Sequence, residues 1–134
     1  MKRISDLTRS VRKRVLVVED EAIVALDMER ILRSHGCEIA GRAASGEESI
    51  VQAERLQPDL VFMDIRLKGT IDGIEAGNRI RDRLNIPVVF LSAFGEDAVP
   101  DARAAKEKFP RLLKPFAEWE IEGILRRFLP VAES

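Results

Sequence analysis

The chain has 134 residues and a net charge of −1, with 46% hydrophobic and 34% charged residues, a balance that suits one soluble globular domain. Its apolar runs are too short to span a bilayer, and its basic N-terminus lacks the apolar core of a secretory signal. One cysteine, Cys37, and one histidine, His35, exclude an internal disulfide, a Cys/His metal cage and a Ser-His-Asp triad, leaving a cytoplasmic protein whose chemistry must use carboxylates, hydroxyls and lysine.

Residues 1–13 form a basic N-terminal extension, 14–130 the folded domain, and 131–134 a short tail. Met1 to Arg14 holds Lys2, Arg3, Arg9, Arg12, Lys13 and Arg14 against Asp6, so the remaining 120 residues carry the opposite charge in excess. A basic tail can touch nucleic acid or a membrane surface, but this one has neither a stacking aromatic nor a recognition helix. It reads as a solvated leader, with no nucleic-acid or membrane partner.

Val15 to Val18 is the first buried strand and ends on Glu19-Asp20-Glu21. A helix follows with Val24, Met28, Ile31 and Leu32 on one face, closed by Gly36. Cys37 to Ala40 is a weaker second strand. Ser45 and Glu48 form a capping-box pattern for a helix carrying Ile50, Val51, Ala53 and Leu56. Leu60 to Met63 is an apolar strand that ends abruptly on Asp64. Asp72 caps a third helix with the stripe Ala76, Ile80 and Leu84, and Gly77 permits close packing. Val88 to Leu91 ends on Ser92-Ala93. A fourth helix is predicted from about Asp97 to Lys108, with Pro100 in its first turn. Arg111 to Leu113 is a short fifth strand ending on Lys114-Pro115. Ile121, Ile124, Leu125, Phe128 and Leu129 mark the last helix.

Strand–helix alternation with apolar strands predicts an α/β fold, a parallel sheet covered on both faces. All strand C-termini then lie on one edge, where ligand sites of open α/β sheets occur. That edge collects Glu19, Asp20 and Asp64 with one hydroxyl, Ser92, and one ammonium, Lys114. Crowded carboxylates repel unless a cation joins them, and without soft ligands the suited guest is a hard divalent ion such as Mg2+, or Mn2+. A carboxylate beside such an ion can attack phosphorus. The phosphoryl oxygens would then be neutralised by the ion, Lys114, and Ser92 with nearby backbone N–H groups.

Val17-Val18-Glu19-Asp20-Glu21, Phe62-Met63-Asp64, Asp72-Gly73, Leu91-Ser92-Ala93 and Lys114-Pro115-Phe116, in this order, resemble the receiver domain of the two-component response-regulator family. The resemblance covers Val15 to Leu129. It implies a flavodoxin-like (βα)5 doubly wound sheet of order 2-1-3-4-5. By position, Asp64 resembles the phosphoacceptor, Asp20 the direct Mg2+ ligand with Glu19 helping through water, and the Arg66 backbone carbonyl the remaining protein ligand. Ser92, with Ala93, resembles the phosphate-binding switch segment, and Lys114 the phosphate-contacting lysine. The resemblance also implies a cis bond at Lys114-Pro115.

Arg111 stands where the family usually has an aromatic. Phe109 lies two residues away on the same strand face. The loop after Asp64 lacks the usual proline and is one residue longer, and the region Phe94 to Pro110 is atypical. Trp119 lies opposite the apolar stripe of the last helix, either packed on a neighbouring loop or anchoring a partner. Phe109, Arg111 and Trp119 are candidates for an output surface on the face of the fourth helix, fifth strand and last helix.

The expected function is phosphoacceptance on Asp64 from a histidine kinase or histidine phosphotransfer protein, read out by a downstream protein partner. The chain is expected to be either a stand-alone response regulator, toward which the Met1 start and basic leader lean, or a receiver cut from a longer protein, and to be monomeric or weakly dimeric. The alternative is a phosphate-independent docking module, motivated by Arg111 and the atypical fourth helix. A phosphatase would need a second carboxylate two residues after the nucleophile, and Arg66 occupies that position, so no dedicated enzyme is expected.

Overall fold

The computed structural model describes residues 12–93 and 110–129. The basic leader through residue 11, Phe94, the predicted helix at 97–108 and Phe109 lie outside the described residues. The elements are β1 (Arg14–Val18), α1 (Ala22–Ser34), β2 (Glu38–Ala43), α2 (Gly46–Leu56), β3 (Leu60–Asp64), α3 (Gly73–Leu84), β4 (Val88–Ala93), β5 (Arg111–Lys114) and α4 (Glu118–Phe128). The strands form one parallel sheet, as the alternation predicts, in the order β2-β1-β3-β4-β5 that the family resemblance implies.

Strand alternation sorts the core into two layers. Val15, Val17, Leu60, Phe62, Val89, Leu91 and Leu112 face α1 and α4, against Met28, Ile31, Leu32, Ile121 and Leu125. Leu16, Val18, Val61, Met63, Val88 and Phe90 face α2 and α3, against Ala53, Ile74, Ala76 and Ile80. Both faces of β1, β3 and β4 are therefore sealed, which explains their unbroken apolar runs. Among the described residues no helix is long and apolar enough to cross a membrane.

The helix boundaries follow local chemistry. Ser45 accepts a hydrogen bond from Glu48 N, and Asp72 accepts one from Glu75 N. Glu48 returns its carboxylate to Ala44 N–H, one residue earlier than a capping box requires. Gly36, at φ +88°, turns the chain out of α1. Gly77 lets α3 sit against β4, since a Cβ there would lie 2.6 Å from Phe90 Cζ.

Two expectations need correction. The second strand is Glu38–Ala43, not Cys37 to Ala40. It runs on through Gly41 because the absent side chain admits Leu56 and Gln52 of α2 against the strand, and through Arg42 because that guanidinium grips buried Glu29 of α1 at 2.7 and 2.9 Å. Val51 is not part of the α2 core stripe. It is 62% exposed, because its rotation from Ala53 takes it to the outer face, and Ser49 is buried instead.

Candidate functional site

The sheet's C-terminal edge brings four predicted side chains together. Glu19 continues the alternation of Val15 and Val17, Asp64 that of Leu60 and Phe62, and Lys114 that of Leu112, so all three leave the sheet on the α1–α4 side. Glu19, Asp20 and Asp64 each offer a carboxylate oxygen within 4.8 Å of the others. Glu19 is 2% and Asp64 4% exposed, and Asp20 is half-buried. Lys114 projects from β5, with β4 between it and β3, and only a long side chain covers that span. Its Nζ lies 2.8 Å from Glu19 Oε1 and 3.3 Å from Asp64 Oδ2.

The electrostatics follow from that crowding. Burial, and then the Glu19 charge, push the Asp64 carboxyl up to about 7. Lys114 and the Arg66 N–H, which donates to Asp64 Oδ1 at 3.1 Å, oppose the rise. Burial would lower the Lys114 pKa, but the contacts with Glu19 and Asp64 outweigh it and leave it raised. Three clustered carboxylates, two of them buried and answered among the described residues by a single ammonium, have the oxygen-only donor chemistry that fits a hard divalent cation.

Ser92 lies fully buried near the end of β4, and its Oγ has no hydrogen-bond partner among the described residues. Ala93 pairs in register with Lys114, and the Lys114-Pro115 peptide bond is cis. An open cleft of about 350 Å3 beside the carboxylates is lined by Asp20, Ile65, Arg66, Leu67, Lys68 and Asp72. Arg111 is half-buried in β5, and Trp119 is 72% exposed on α4.

Gly73 is a site residue whose structural reason the sequence reading missed. A Cβ at Gly73 would overlap the carbonyl oxygen of Asp64, so α3 can begin directly against the end of β3 only with glycine there. Gly73 N–H donates to Ile65 O at 2.9 Å, closing the loop between them. The Asp72-Gly73 motif was the available signal. Glu29, buried behind Arg42, was also missed, because its partner lies on another element.

The family model of the response regulator receiver domain matches residues 15–126. The transcriptional regulatory protein PdtaR of Mycobacterium tuberculosis is 40% identical over 114 residues, covering 84% of this chain and 55% of that protein. This chain thus spans about half the length of that curated relative. The solved receiver domain of Erythrobacter litoralis PhyR superposes with a TM-score of 0.79 at 28% identity, covering 94% of this chain and 96% of that one. A Bartonella quintana structure described as the anti-anti-sigma factor PhyR gives a TM-score of 0.74 at 28% identity, over 93% of this chain and 51% of the other. The sheet order and these neighbours make the fold the flavodoxin-like receiver fold, and the chain belongs to the response regulator receiver domain family.

Proposed function

We propose that this chain is a phosphoacceptor switch: Asp64 takes a phosphoryl group from a histidine kinase or histidine phosphotransfer protein, and the phosphorylated form changes its affinity for a downstream protein. The observation that carries the reading is the meeting of Glu19, Asp20 and Asp64 within 4.8 Å beside the Lys114 ammonium.

Asp20, Asp64 and the Arg66 carbonyl would hold Mg2+ or Mn2+, with Glu19 acting through water; the bound ion neutralises charge on the phosphoryl oxygens. The Asp64 carboxylate attacks phosphorus, its new O–P bond replaces the P–N bond of the donor phosphohistidine, and the electron pair of that bond returns to the imidazole. Lys114 exchanges its contact with Asp64 for one to a phosphoryl oxygen. Ser92 supplies a hydroxyl donor that has no partner among the described residues, so the phosphorylated state gives this buried group an acceptor. That gain, made only in one state, is what biases a two-state equilibrium.

The half-buried Arg111 and the exposed Trp119 are the candidate output surface, with Phe109, outside the described residues, the third candidate from the sequence. Relatives described as a transcriptional regulatory protein and an anti-anti-sigma factor favour a protein partner in gene regulation, and a cytoplasmic role. The chain is proposed as an acceptor and not a dedicated enzyme. The test is incubation with acetyl phosphate and Mg2+, followed by electrophoresis that retards phosphoproteins. The wild type should shift, while chelation or Asp64→Asn should abolish the shift; a shift that survives Asp64→Asn would refute Asp64 as acceptor.

A further inference from the structure

A metal ligand supplied by a backbone carbonyl has no side chain of its own to aim it. Its position depends on how the loop that carries it is held, and ordering a free loop costs conformational entropy. Arg66 sits in such a loop, residues 65–72 between β3 and α3.

That loop is fastened to the start of α2. Lys68 forms an isolated parallel bridge with Ser45, the α2 N-cap. Glu47, in the first turn of α2, accepts a hydrogen bond from Thr70 N at 2.7 Å and another from the Thr70 hydroxyl. Gly69 adopts φ +116°, and a Cβ there would lie 2.5 Å from Glu47 Oε1, so the loop backbone is fitted around this carboxylate. Behind it, Gly46 packs on Ile71, where a Cβ would lie 2.8 Å from Ile71 Cγ1. The hydrogen bond from the Thr70 side chain holds the Glu47 carboxyl below its usual range, and a negative charge in the first turn suits the helix dipole.

We propose that Glu47 is a positioning residue of the metal and phosphoryl site: its clip on Gly69-Thr70 fixes the loop and, through it, the Arg66 carbonyl. The proposal rests on the phosphoacceptor reading. Glu47 touches neither metal nor phosphate; it lowers the cost of ordering the loop when a cation binds.

The test is a Mn2+ titration followed by electron paramagnetic resonance on wild type, Glu47→Ala, Glu47→Gln and Thr70→Val, with amide exchange over residues 65–72. Glu47→Ala should weaken Mn2+ binding about tenfold, the low end of what partners behind a metal ligand contribute. It should also speed exchange in the loop, and saturating Mn2+ should restore the phosphorylation rate. Glu47→Gln keeps an acceptor oxygen and should lose less; Thr70→Val, which keeps its N–H, should also fall between. Equal Mn2+ affinity in wild type and Glu47→Ala overturns the clip alone, as does a rate defect that saturating Mn2+ leaves in place. A wild type that binds no Mn2+ overturns the underlying reading as well, so the two failures are distinct.

Discussion

Lys114 Nζ lies between two acidic side chains, 2.8 Å from Glu19 Oε1 and 3.3 Å from Asp64 Oδ2, and thereby joins the last strand of the sheet to β1 and β3. Among the described residues the cluster is under-neutralised, with three carboxylates to one ammonium. Its charge imbalance sets both its stability and its chemistry.

The pH dependence of the metal-free protein follows directly. Asp64 has a folded pKa of about 7 against an ordinary value of 3.8. Between those values the folded state binds more protons than the unfolded state, so stability falls as pH rises from about 4 to about 7. Roughly three units correspond to at most about 4 kcal/mol. Urea denaturation in a chelator should show Asp64→Asn gaining on wild type across this window, with little difference near pH 4. A constant difference between the two proteins at all pH values would contradict the assignment.

Removing the cation should act in the opposite sense. Lys114→Ala leaves Glu19 and Asp64 facing each other in a buried site. It should cost about 2–3 kcal/mol at pH 8 without metal, and less at pH 5, where Asp64 is protonated. Denaturation midpoints at the two pH values check this, and equal losses at both would count against it.

Two glycines on α3 should separate fold from site. Gly77→Ala drives a Cβ toward the Phe90 ring and should cost about 1–3 kcal/mol while leaving phosphorylation intact. Gly73→Ala drives a Cβ into the Asp64 carbonyl, a backbone atom with no rotamer to yield, and should slow phosphorylation as well. Parallel melting curves and acetyl phosphate assays distinguish the two; equal phosphorylation rates would show that Gly73 serves packing alone.

Trp119 is 72% exposed, so Trp119→Ala should change stability by no more than about 0.5 kcal/mol. If Trp119 belongs to the output surface, the same change weakens capture of the phosphorylated protein by its partner. A loss of several kcal/mol in stability would instead show that the indole packs into the fold.

The gathering of Glu19, Asp20, Asp64 and Lys114 was legible in the sequence because a parallel sheet puts every strand C-terminus on one edge, whereas the strand order was legible only through the family motifs. Strand alternation then narrows which side chains meet. What the sequence concealed depends on contacts between separate elements. The predicted second strand stops at Ala40, and only α2 above Gly41 and Glu29 alongside Arg42 show why β2 continues. Val51 is apolar but lies on the outer side of its helix. Glu47 lies in the first turn of α2, and no spacing in the chain links it to Thr70.

The most direct measurement is to treat the protein with acetyl phosphate and Mg2+, trap any acyl phosphate with borohydride, and map the reduced residue by peptide mass. The account predicts one phosphoryl group per chain and a single Asp-to-homoserine conversion, at residue 64. No adduct with acetyl phosphate or with a panel of phosphorylated histidine kinases, or conversion at another carboxylate while residue 64 stays intact, would contradict it.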